Sequence, residues 1–190
     1  MIGGDLFPDF GDVLIMGTSV FHNPHYARSA LGFCPQFTAI DTQLSVQEHL
    51  LIYGKLKGLK GGHELNESID SIVRMTSLDM YVDKLASTLS GGNQRKLALA
   101  ISLLGNPPVI LIDEFSTGVD AKTKRDMWQT LRRVSVGKAI VITTRKSLFS
   151  SCRTVMLIHS LDSMEEASAL ADNVGILAKR MLGVVHRLFP

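Results

Sequence analysis

Two short runs of residues in this chain have the types and spacing to do chemistry. The first, Leu89–Lys96, reads Leu-Ser-Gly-Gly-Asn-Gln-Arg-Lys and continues into apolar residues at helical spacing. Gly91 and Gly92 therefore stand at a predicted helix N-terminus, where unpaired N–H groups and the helix dipole favour an anion. Both lack a Cβ, so the backbone can pass close to a phosphate, and Ser90 adds a hydroxyl that can bond a phosphate oxygen. A glycine-rich turn without a ligand is the alternative, although chance produces a Leu-Ser-Gly-Gly match in this length only about half a per cent of the time.

The second run is an apolar segment that ends in two acids. Residues 109–112 are Val-Ile-Leu-Ile, preceded by Pro107-Pro108 and followed by Asp113 and Glu114. A short, wholly apolar run of this kind is typical of a parallel strand buried on both faces, and ligands gather at the carboxyl ends of such strands. We expect Asp113 to hold Mg²⁺, mainly through water, and Glu114 to polarise an attacking water as general base. Solvated loop acids are the alternative, but the phosphate turn nearby favours a site.

The elements that must position these runs alternate between strand and helix. The patterning predicts strands at Asp12–Met16, Leu31–Phe33, 109–112, Ala139–Thr143 and Val174–Leu177, and helices at Val46–Lys57, Glu64–Met75, 121–135 and Met164–Ala171. Interleaved strands and helices predict an α/β fold with a parallel sheet flanked by helices. The loop from Gly58 to Gly62 is the one plausible flexible joint.

Composition narrows the class of protein. The chain has 190 residues, which is the length of one domain. Its net charge is +2 and its basic residues are scattered, so the sequence shows no basic patch of the kind that binds nucleic acid. Cys34 and Cys152 are too few for a disulfide framework or a metal cluster. The longest apolar stretches, such as 139–142 and 155–158, are far short of a membrane span, and no leader is apparent at Met1.

Taken together, these residues resemble the nucleotide-binding domain of an ABC transporter. The similarity is greatest to the second such domain of the A subfamily, the lipid-exporter type, and covers about residues 1–144 and 163–182. The matching stretches are 32–41, 48–50, 89–96 and 110–120. The resemblance implies a P-loop NTPase-like parallel sheet with a helical subdomain, here N-terminally truncated. It divides residues 1–190 into a helical subdomain with the signature (45–92), a catalytic-core remainder (109–182) and an atypical insertion (145–162).

The resemblance also implies roles for single residues. Gln36 is similar to the Q-loop glutamine, which contacts Mg²⁺ or the lytic water and couples to the membrane domain. Ser90, Gly91 and Gly92 resemble the nucleotide-binding signature, Asp113 the second acidic motif and Glu114 the base. Ser116–Asp120 resemble the D-loop, which passes across the dimer interface, and this implies a nucleotide-binding role for Asp120. Asn93 for glutamine and Phe115 for proline are mild departures.

Simpler interpretations of three single residues stay open. Gln36 could be a solvated loop side chain, Asp120 could cap the helix that follows it, and we interpret His49 as structural.

The cofactors and partners implied are ATP, Mg²⁺, a second nucleotide-binding domain across a head-to-tail dimer, and a transporter membrane domain, with no nucleic acid. The resemblance places the chain at the cytoplasmic face of a membrane, with no transmembrane segment of its own.

Two departures from the family pattern concern what the chain does not contain. The printed sequence has no Gly-x-x-x-x-Gly-Lys-[Ser/Thr] loop, and Met1 corresponds to a position just after that loop and its helix in relatives. Loss of its charge-assisted bonds predicts ATP binding weaker by on the order of 10⁴-fold, and strand 109–112 is expected to lose a neighbour. We therefore predict that the chain alone does not hydrolyse ATP.

The second departure follows Thr144. Relatives continue Thr-Thr-His-Ser-Met-Glu-Glu-Ala, whereas here residues 145–162 intervene before Ser163. We interpret this segment as a retained intron whose removal would restore the switch histidine, with His159 as a decoy. A genuine loop insertion, which would leave the apolar run 155–158 exposed, is the alternative.

The leading prediction is a fragment of an ATP-binding and ATP-hydrolysing domain of an ABC exporter that moves lipid-like substrates across a membrane. The alternatives are a non-catalytic module that completes an ATP site in trans, and a non-functional gene fragment. A soluble ABC protein of translation or DNA repair is disfavoured by the exporter-like stretch 36–41 and by the lack of a coiled-coil pattern.

Overall fold

The structure, a computed structural model, describes residues 7–37, 39–114, 119–144, 153–158, 173–178 and 181–187. In these segments the helices are α1 (Pro24–Ser29), α2 (Val46–Leu56), α3 (His63–Thr76), α4 (Gly91–Leu103) and α5 (Ala121–Val134). The strands are β1 (Leu14–Ile15), β2 (Thr18–Ser19), β3 (Leu31–Cys34), β4 (Val109–Asp113), β5 (Ala139–Thr144), β6 (Arg153–Ile158), β7 (Asn173–Ala178) and β8 (Met181–Arg187). None of the helices in these segments is both long and apolar enough to cross a membrane.

Most of the predicted elements form close to where the sequence places them. The helices at α2, α3 and α5 and the strands at β3, β4, β5 and β7 agree with prediction to within one or two residues at each end. The first predicted strand shrinks to β1, which pairs antiparallel with β2 in a two-stranded sheet. The helix predicted at Met164–Ala171 lies outside the described residues.

Within the described residues, six strands form the main sheet, in the order β3-β4-β5-β6-β7-β8. β3, β4 and β5 are parallel, and each later strand pairs antiparallel with the one before it. The parallel sheet predicted from the sequence is thus confirmed for the half that carries the candidate site, whereas the other half is antiparallel.

The expectation that strand 109–112 lacks a neighbour is wrong. Along β4, Val109 pairs with Leu31 on one side and with Ala139 on the other, and the register continues to the ends of both partners. The two neighbouring strands both come from this chain, so the backbone of β4 is paired on both edges without any preceding segment.

The segment predicted to be an insertion contributes a strand of the sheet. Residues of β6 pair with β5 from Ile140 opposite Ile158 to Thr144 opposite Thr154, and with β7 on the other edge. Residues 155–157 therefore have strand partners on both edges, and Ile158 pairs with β5, so the apolar run is a strand and the expectation of a loop is wrong. Apolar and β-branched residues suit such a position because they favour the pleated strand. His159 lies outside the described residues, and the retained-intron interpretation stays a prediction.

The faces of β4 explain why its sequence is continuously apolar. Ile110 and Ile112 face the main core, where residues of α2 to α5 pack against them. Leu111 faces a second, smaller cluster with Ile15 and Leu31. A strand covered on both faces has no solvent side, so alternation with polar residues is absent.

Close packing brings α4 against β3. A Cβ added at Gly32 would lie 2.2 Å from the backbone oxygen of Ser102 and 2.9 Å from Cγ of Pro107. Only glycine permits this approach, so Gly32 fixes the distance between the strand that leads to Gln36 and the helix that begins at the glycine turn.

Candidate functional site

Asp113 and Glu114 lie at the carboxyl end of β4, as the sequence predicts. Thr143 of β5 forms a hydrogen bond with each of them. Oγ1 of Thr143 donates a hydrogen bond to Oδ1 of Asp113. The backbone N–H of Glu114 donates to the Thr143 carbonyl at 3.0 Å. Sequence reasoning missed Thr143, because its role follows from its register opposite Asp113 in the parallel ladder.

Glu114 has an unusual backbone conformation. Its φ is +48°, in the left-handed region, and its side chain is buried at 3% exposure. That conformation costs a residue other than glycine about 1–2 kcal/mol. Strained, buried acids persist where the surrounding structure holds them, and such positions cluster at functional sites.

Gln36 meets Glu114 across the end of the sheet. Nε2 of Gln36 donates to Oε2 of Glu114 at 3.0 Å, although the two residues are 78 positions apart. Gln36 follows β3 and Glu114 follows β4, so parallel pairing of the two strands delivers both side chains to one edge. Gln36 is therefore bonded to the predicted base, while its contact with Mg²⁺ or with the lytic water stays a prediction.

The glycine turn opens α4 as predicted. Ser90 is the N-cap, and its Oγ accepts from the N–H of Asn93 at 3.3 Å. Among the described residues, no acceptor contacts the N–H groups of Gly91 and Gly92. A Cβ at Gly91 would meet nothing within 4 Å, so the turn is open at Gly91, whereas a Cβ at Gly92 would lie 3.0 Å from the Thr123 side chain. This arrangement suits an anionic oxygen.

The glycine turn and the acids do not bond to each other. No hydrogen bond within the described segments joins Ser90, Gly91 or Gly92 to Asp113 or Glu114. The described residues thus include two separate groups of candidate site residues: backbone donors on α4, and acids with Gln36 at the end of the sheet.

Two basic residues that sequence reasoning passed over connect α4 to its surroundings. Nη1 of Arg95 donates to the carbonyl oxygen of Pro35 at 2.9 Å. Nζ of Lys96 lies 3.0 Å from Oδ2 of Asp126 on α5, and the Lys96 side chain is buried. Their spacing in the sequence gives no sign of these partners, since the contacts span 60 and 30 residues.

Asp120 caps α5. Its Oδ1 accepts from the N–H groups of Lys122 and Thr123, each at 3.0 Å. Hydrogen bonds from the Thr123 side chain and backbone lower the pKa of this exposed carboxyl below its ordinary value of 3.8. The capping interpretation is confirmed, a role across a dimer stays a prediction, and the neighbouring residues 115–118 lie outside the described segments.

His49 is structural, as predicted. It is almost fully buried on α2. Its Nε2 accepts from the N–H of Asp41 at 2.9 Å, so Nδ1 carries the proton and donates to the Ser45 carbonyl at 2.8 Å. His49 therefore fixes the far end of the loop that carries Gln36.

The donor set at the end of the sheet fits a magnesium ion. Within the described residues, no group of three or more histidine, cysteine or acidic side chains converges on one point. Mg²⁺ does not need such a cluster, because it binds through one or two oxygen ligands, several waters and substrate phosphates. The Asp113 carboxylate and the Gln36 amide oxygen are ligands of that kind. Cys34 is not a candidate, because burial raises the pKa of its thiol to about 12.

Comparison with known proteins assigns the chain to a family. The profile of the ABC transporter family matches residues 1–117, more than half of the chain. The chain belongs to the ABC transporter family. Its mixed α/β architecture, with a sheet flanked by helices, is that of the family's ATP-binding cassettes.

Among curated proteins, the similarity is to the A subfamily. The bovine retinal-specific phospholipid-transporting ATPase ABCA4 is 35% identical over 192 residues, which cover 99% of this chain and 8% of that protein. The Arabidopsis thaliana ABC transporter A family member 7 is 35% identical over 178 residues, covering 93% of this chain and 17% of that protein. The chain therefore spans less than a fifth of the length of these relatives, and the A-subfamily resemblance is confirmed.

Solved structures of the family show the same fold. The dimeric structure of MJ0796, a bacterial ABC transporter cassette, matches with a TM-score of 0.64 at 25% identity, covering 74% of this chain and 65% of that chain. A post-hydrolysis state of the same cassette, bound to ADP and Pi, gives 0.65 at 26% identity and the same coverage. The ATP binding subunit of another ABC transporter gives 0.78 at 20% identity over 98% of this chain and 71% of that chain, which concerns the fold alone.

Proposed function

We propose that this ABC-family chain supplies two half-sites of an ATPase that drives transport of a lipid-like substrate. The contact between Gln36 and Glu114 at the carboxyl end of β4 carries the proposal. It places an amide and a buried, strained carboxylate where parallel sheets collect their ligands.

The acidic half-site has the groups that phosphate-ester hydrolysis needs. Glu114 is the general base that accepts a proton from the attacking water, and Gln36, bonded to it at 3.0 Å, orients that water. Two residues would bind Mg²⁺: Gln36, and Asp113, which accepts a hydrogen bond from Thr143. When bound, Mg²⁺ neutralises phosphate charge.

The glycine half-site acts on a nucleotide held elsewhere. The open N–H groups of Gly91 and Gly92, with the Ser90 hydroxyl, bind the terminal phosphate of an ATP carried by a second nucleotide-binding domain in a head-to-tail dimer. The separation of this turn from the chain's own acids supports the arrangement, as does the dimeric state of the MJ0796 cassette. Asp120, exposed at the start of α5, faces the same partner in this proposal.

A groove beside Gln36 is the proposed contact for the transporter membrane domain. It has a volume of about 180 Å³ and is apolar, and its lining residues are Phe33, Pro35, Ala39, Tyr53, Ala98 and Ile101. Since Pro35 directly precedes Gln36, a side chain of the membrane domain seated in this groove would lie one residue away from the site. The chain would then lie at the cytoplasmic face of a membrane. In this proposal residues 45–92 are the helical subdomain, 109–182 the catalytic-core remainder and 145–162 an atypical insertion.

Phospholipid is the proposed class of substrate. The support is the name of the ABCA4 relatives, which are phospholipid-transporting ATPases.

ATP-dependent association with an intact cassette tests the proposal. We expect this chain to bind a cassette with a complete phosphate loop in the presence of MgATP and not with MgADP, as measured by fluorescence anisotropy. Ser90→Arg should weaken that association about tenfold or more, because it blocks bonds to the phosphate worth about 1.5–3 kcal/mol each.

The matched control is Ser87→Arg. Ser87 is exposed three residues earlier, and the same charge there should leave the association unchanged. Equal affinity with MgATP and MgADP, or equal losses for Ser87→Arg and Ser90→Arg, would contradict the glycine half-site. The Glu114→Gln variant separates a module that acts only in trans from a full ATPase. If the chain acts only in trans, Glu114→Gln leaves the ATP hydrolysis rate of the complex with the intact cassette unchanged.

A further inference from the structure

The amino ends of the three parallel strands form an edge that is separate from the candidate site. Leu31, Val109 and Ala139 lie side by side in the register of β3, β4 and β5, so all three strands begin there. Gln36 and Glu114 follow the other ends of these strands. β4 has five residues, and at about 3.3 Å per residue its two ends are about 13 Å apart. A ligand bound at the amino ends would therefore not contact the acids.

The chain segments that meet at these amino ends are basic, and we call them the basic edge. Helices α1, α4 and α5 each end a few residues before one of the three strands, and Cβ of Lys57, at the end of α2, lies 3.8 Å from a Cβ added at Gly105. The segments contain no aspartate or glutamate, and the nearest acid along the chain is Glu64 on α3. They are residues 28–31, 55–62, 103–109 and 133–139. They hold six of the 20 lysines and arginines of the chain: Arg28, Lys55, Lys57, Lys60, Arg133 and Lys138.

Two lysines of the basic edge hold the starts of the strands. Nζ of Lys57 donates to the Leu31 carbonyl at 3.1 Å, and Nζ of Lys138 donates to the Pro107 carbonyl at 2.9 Å. Within the described residues, neither ammonium pairs with a carboxylate. Burial lowers the pKa of both side chains below the ordinary value of 10.5. An anionic ligand at this edge would favour the charged form of both lysines, because it supplies the opposite charge.

Exposed cations and exposed apolar side chains alternate along the basic edge. Lys55, Lys60 and Arg133 are exposed, and in the part of the chain that the structure describes they form no ion pair. Leu56, which is 75% exposed, lies next to Lys55. Val136, which is 74% exposed, follows Arg133 by three residues. The surface therefore offers partners for carboxylates and for apolar groups side by side.

Among polyanions, an acidic polypeptide suits this surface. Proteins that bind single-stranded nucleic acid without sequence preference stack its bases on aromatic side chains, and the four segments contain no Phe, Tyr or Trp. A membrane surface binds one amphipathic helix with a continuous apolar face, whereas these bases come from four separate segments. A polypeptide with acids and apolar residues can pair with the exposed bases and pack against Leu56 and Val136 at the same time.

We propose that the basic edge binds an acidic segment of a partner polypeptide, whose carboxylates pair with the exposed lysines and arginine and whose apolar side chains contact Leu56 and Val136. The inference goes beyond the proposed function, because the surface lies at the opposite end of the strands from the catalytic acids. Binding there needs no nucleotide.

Peptide binding to the full chain, without nucleotide, tests the proposal. The probe is a fluorescein-labelled peptide that repeats Glu-Leu-Asp-Glu, the uncharged reference repeats Gln-Leu-Asn-Gln, and binding is measured by fluorescence anisotropy. We expect only the acidic peptide to bind, and to bind more weakly as salt screens the charges. The triple variant Lys55→Gln/Lys60→Gln/Arg133→Gln should weaken binding about tenfold, which corresponds to about 1.4 kcal/mol. Leu56→Ser should weaken it about threefold, because an apolar contact is lost.

The matched control removes the same charge from other exposed bases. Arg74→Gln/Lys122→Gln/Arg125→Gln changes three exposed residues of α3 and α5, and it should bind the acidic peptide as tightly as the unmodified chain does. Because all six substituted bases are exposed, neither triple variant alters the core. Equal losses in the two triple variants, or no binding of the acidic peptide by the unmodified chain, would overturn the inference. An unchanged affinity in Leu56→Ser would overturn the apolar contact.

Other occupants of the basic edge are separate outcomes of the same experiment. Single-stranded RNA and phosphatidylserine vesicles are titrated as competitors of the labelled peptide, and we expect both to displace it only at a higher concentration of charge than the unlabelled peptide needs. Displacement by either at a lower concentration would overturn the assignment to a polypeptide. Sedimentation velocity tests a second copy of this chain: a dimer that the triple variant of the basic edge converts to monomer would likewise overturn it.

Discussion

The pairing of Lys96 with Asp126 predicts an asymmetric response to substitution. The two side chains are 3.0 Å apart, but Lys96 is 8% exposed whereas Asp126 is 34% exposed. Asp126→Ala leaves a buried ammonium without its counter-charge, which costs about 3 kcal/mol, the low end of the range for a broken buried pair because water can enter at the vacated position. Lys96→Met keeps the apolar stem and leaves a carboxylate that water can solvate, at a cost below about 1 kcal/mol.

The expected difference is therefore about 2 kcal/mol in the free energy of unfolding, or about 4–8 °C in Tm for a domain of this size. Urea unfolding at pH 7, with the unmodified chain measured in parallel, resolves a difference of that size. The double variant Lys96→Met/Asp126→Leu removes both charges and should recover most of the loss caused by Asp126→Ala. A cost for Lys96→Met equal to or above that for Asp126→Ala would refute the burial argument.

Three further outcomes follow from single positions. Gly32→Ala should destabilise the chain by about 1–3 kcal/mol in urea unfolding, because its Cβ would lie 2.2 Å from a backbone oxygen, whereas Gly61→Ala, with open space around it, should cost less than about 0.5 kcal/mol. Glu114→Gly should be more stable than Glu114→Ala by about 1 kcal/mol, since φ at this position is +48°, and the opposite order would show that the backbone is not left-handed there. The lowered pKa of Asp120 means that its cap stabilises α5 above about pH 3.8 and that the benefit is lost as pH falls through the lowered value, so the urea midpoints of the unmodified chain and Asp120→Ala should converge below pH 3.8 and not above it.

Local sequence patterns predicted most of the helices and strands in the first 144 residues. The apolar run of β4 predicted a doubly covered strand, because side chains on both faces must then be apolar, and Ile110 and Leu111 do face two different clusters. The observed parallel pairing of β3 with β4 explains why Gln36 and Glu114 share one edge, whereas before the structure Gln36 was singled out only by the family resemblance.

Contacts between distant residues could not be predicted in the same way. The partner of Arg95 is a backbone carbonyl 60 residues away, and a carbonyl carries no sequence signal. Likewise, the pairing of β6 with β5 depends on which strand edge is available in space, whereas the sequence shows only that residues 155–158 are apolar. The local alternation of element types predicts which segments are strands and leaves their neighbours undetermined.

The most direct test of the central claim is an NMR titration of the backbone amides of Gly91 and Gly92. The two resonances are followed while MgATP and an intact ABC cassette are added separately and together. The two half-site account predicts that both amides shift only when nucleotide and cassette are present together, while the amide of Gly61 stays in place. If Gly91 and Gly92 do not move under that condition, or move no more than Gly61, the glycine turn does not contact the phosphate of a partner's ATP.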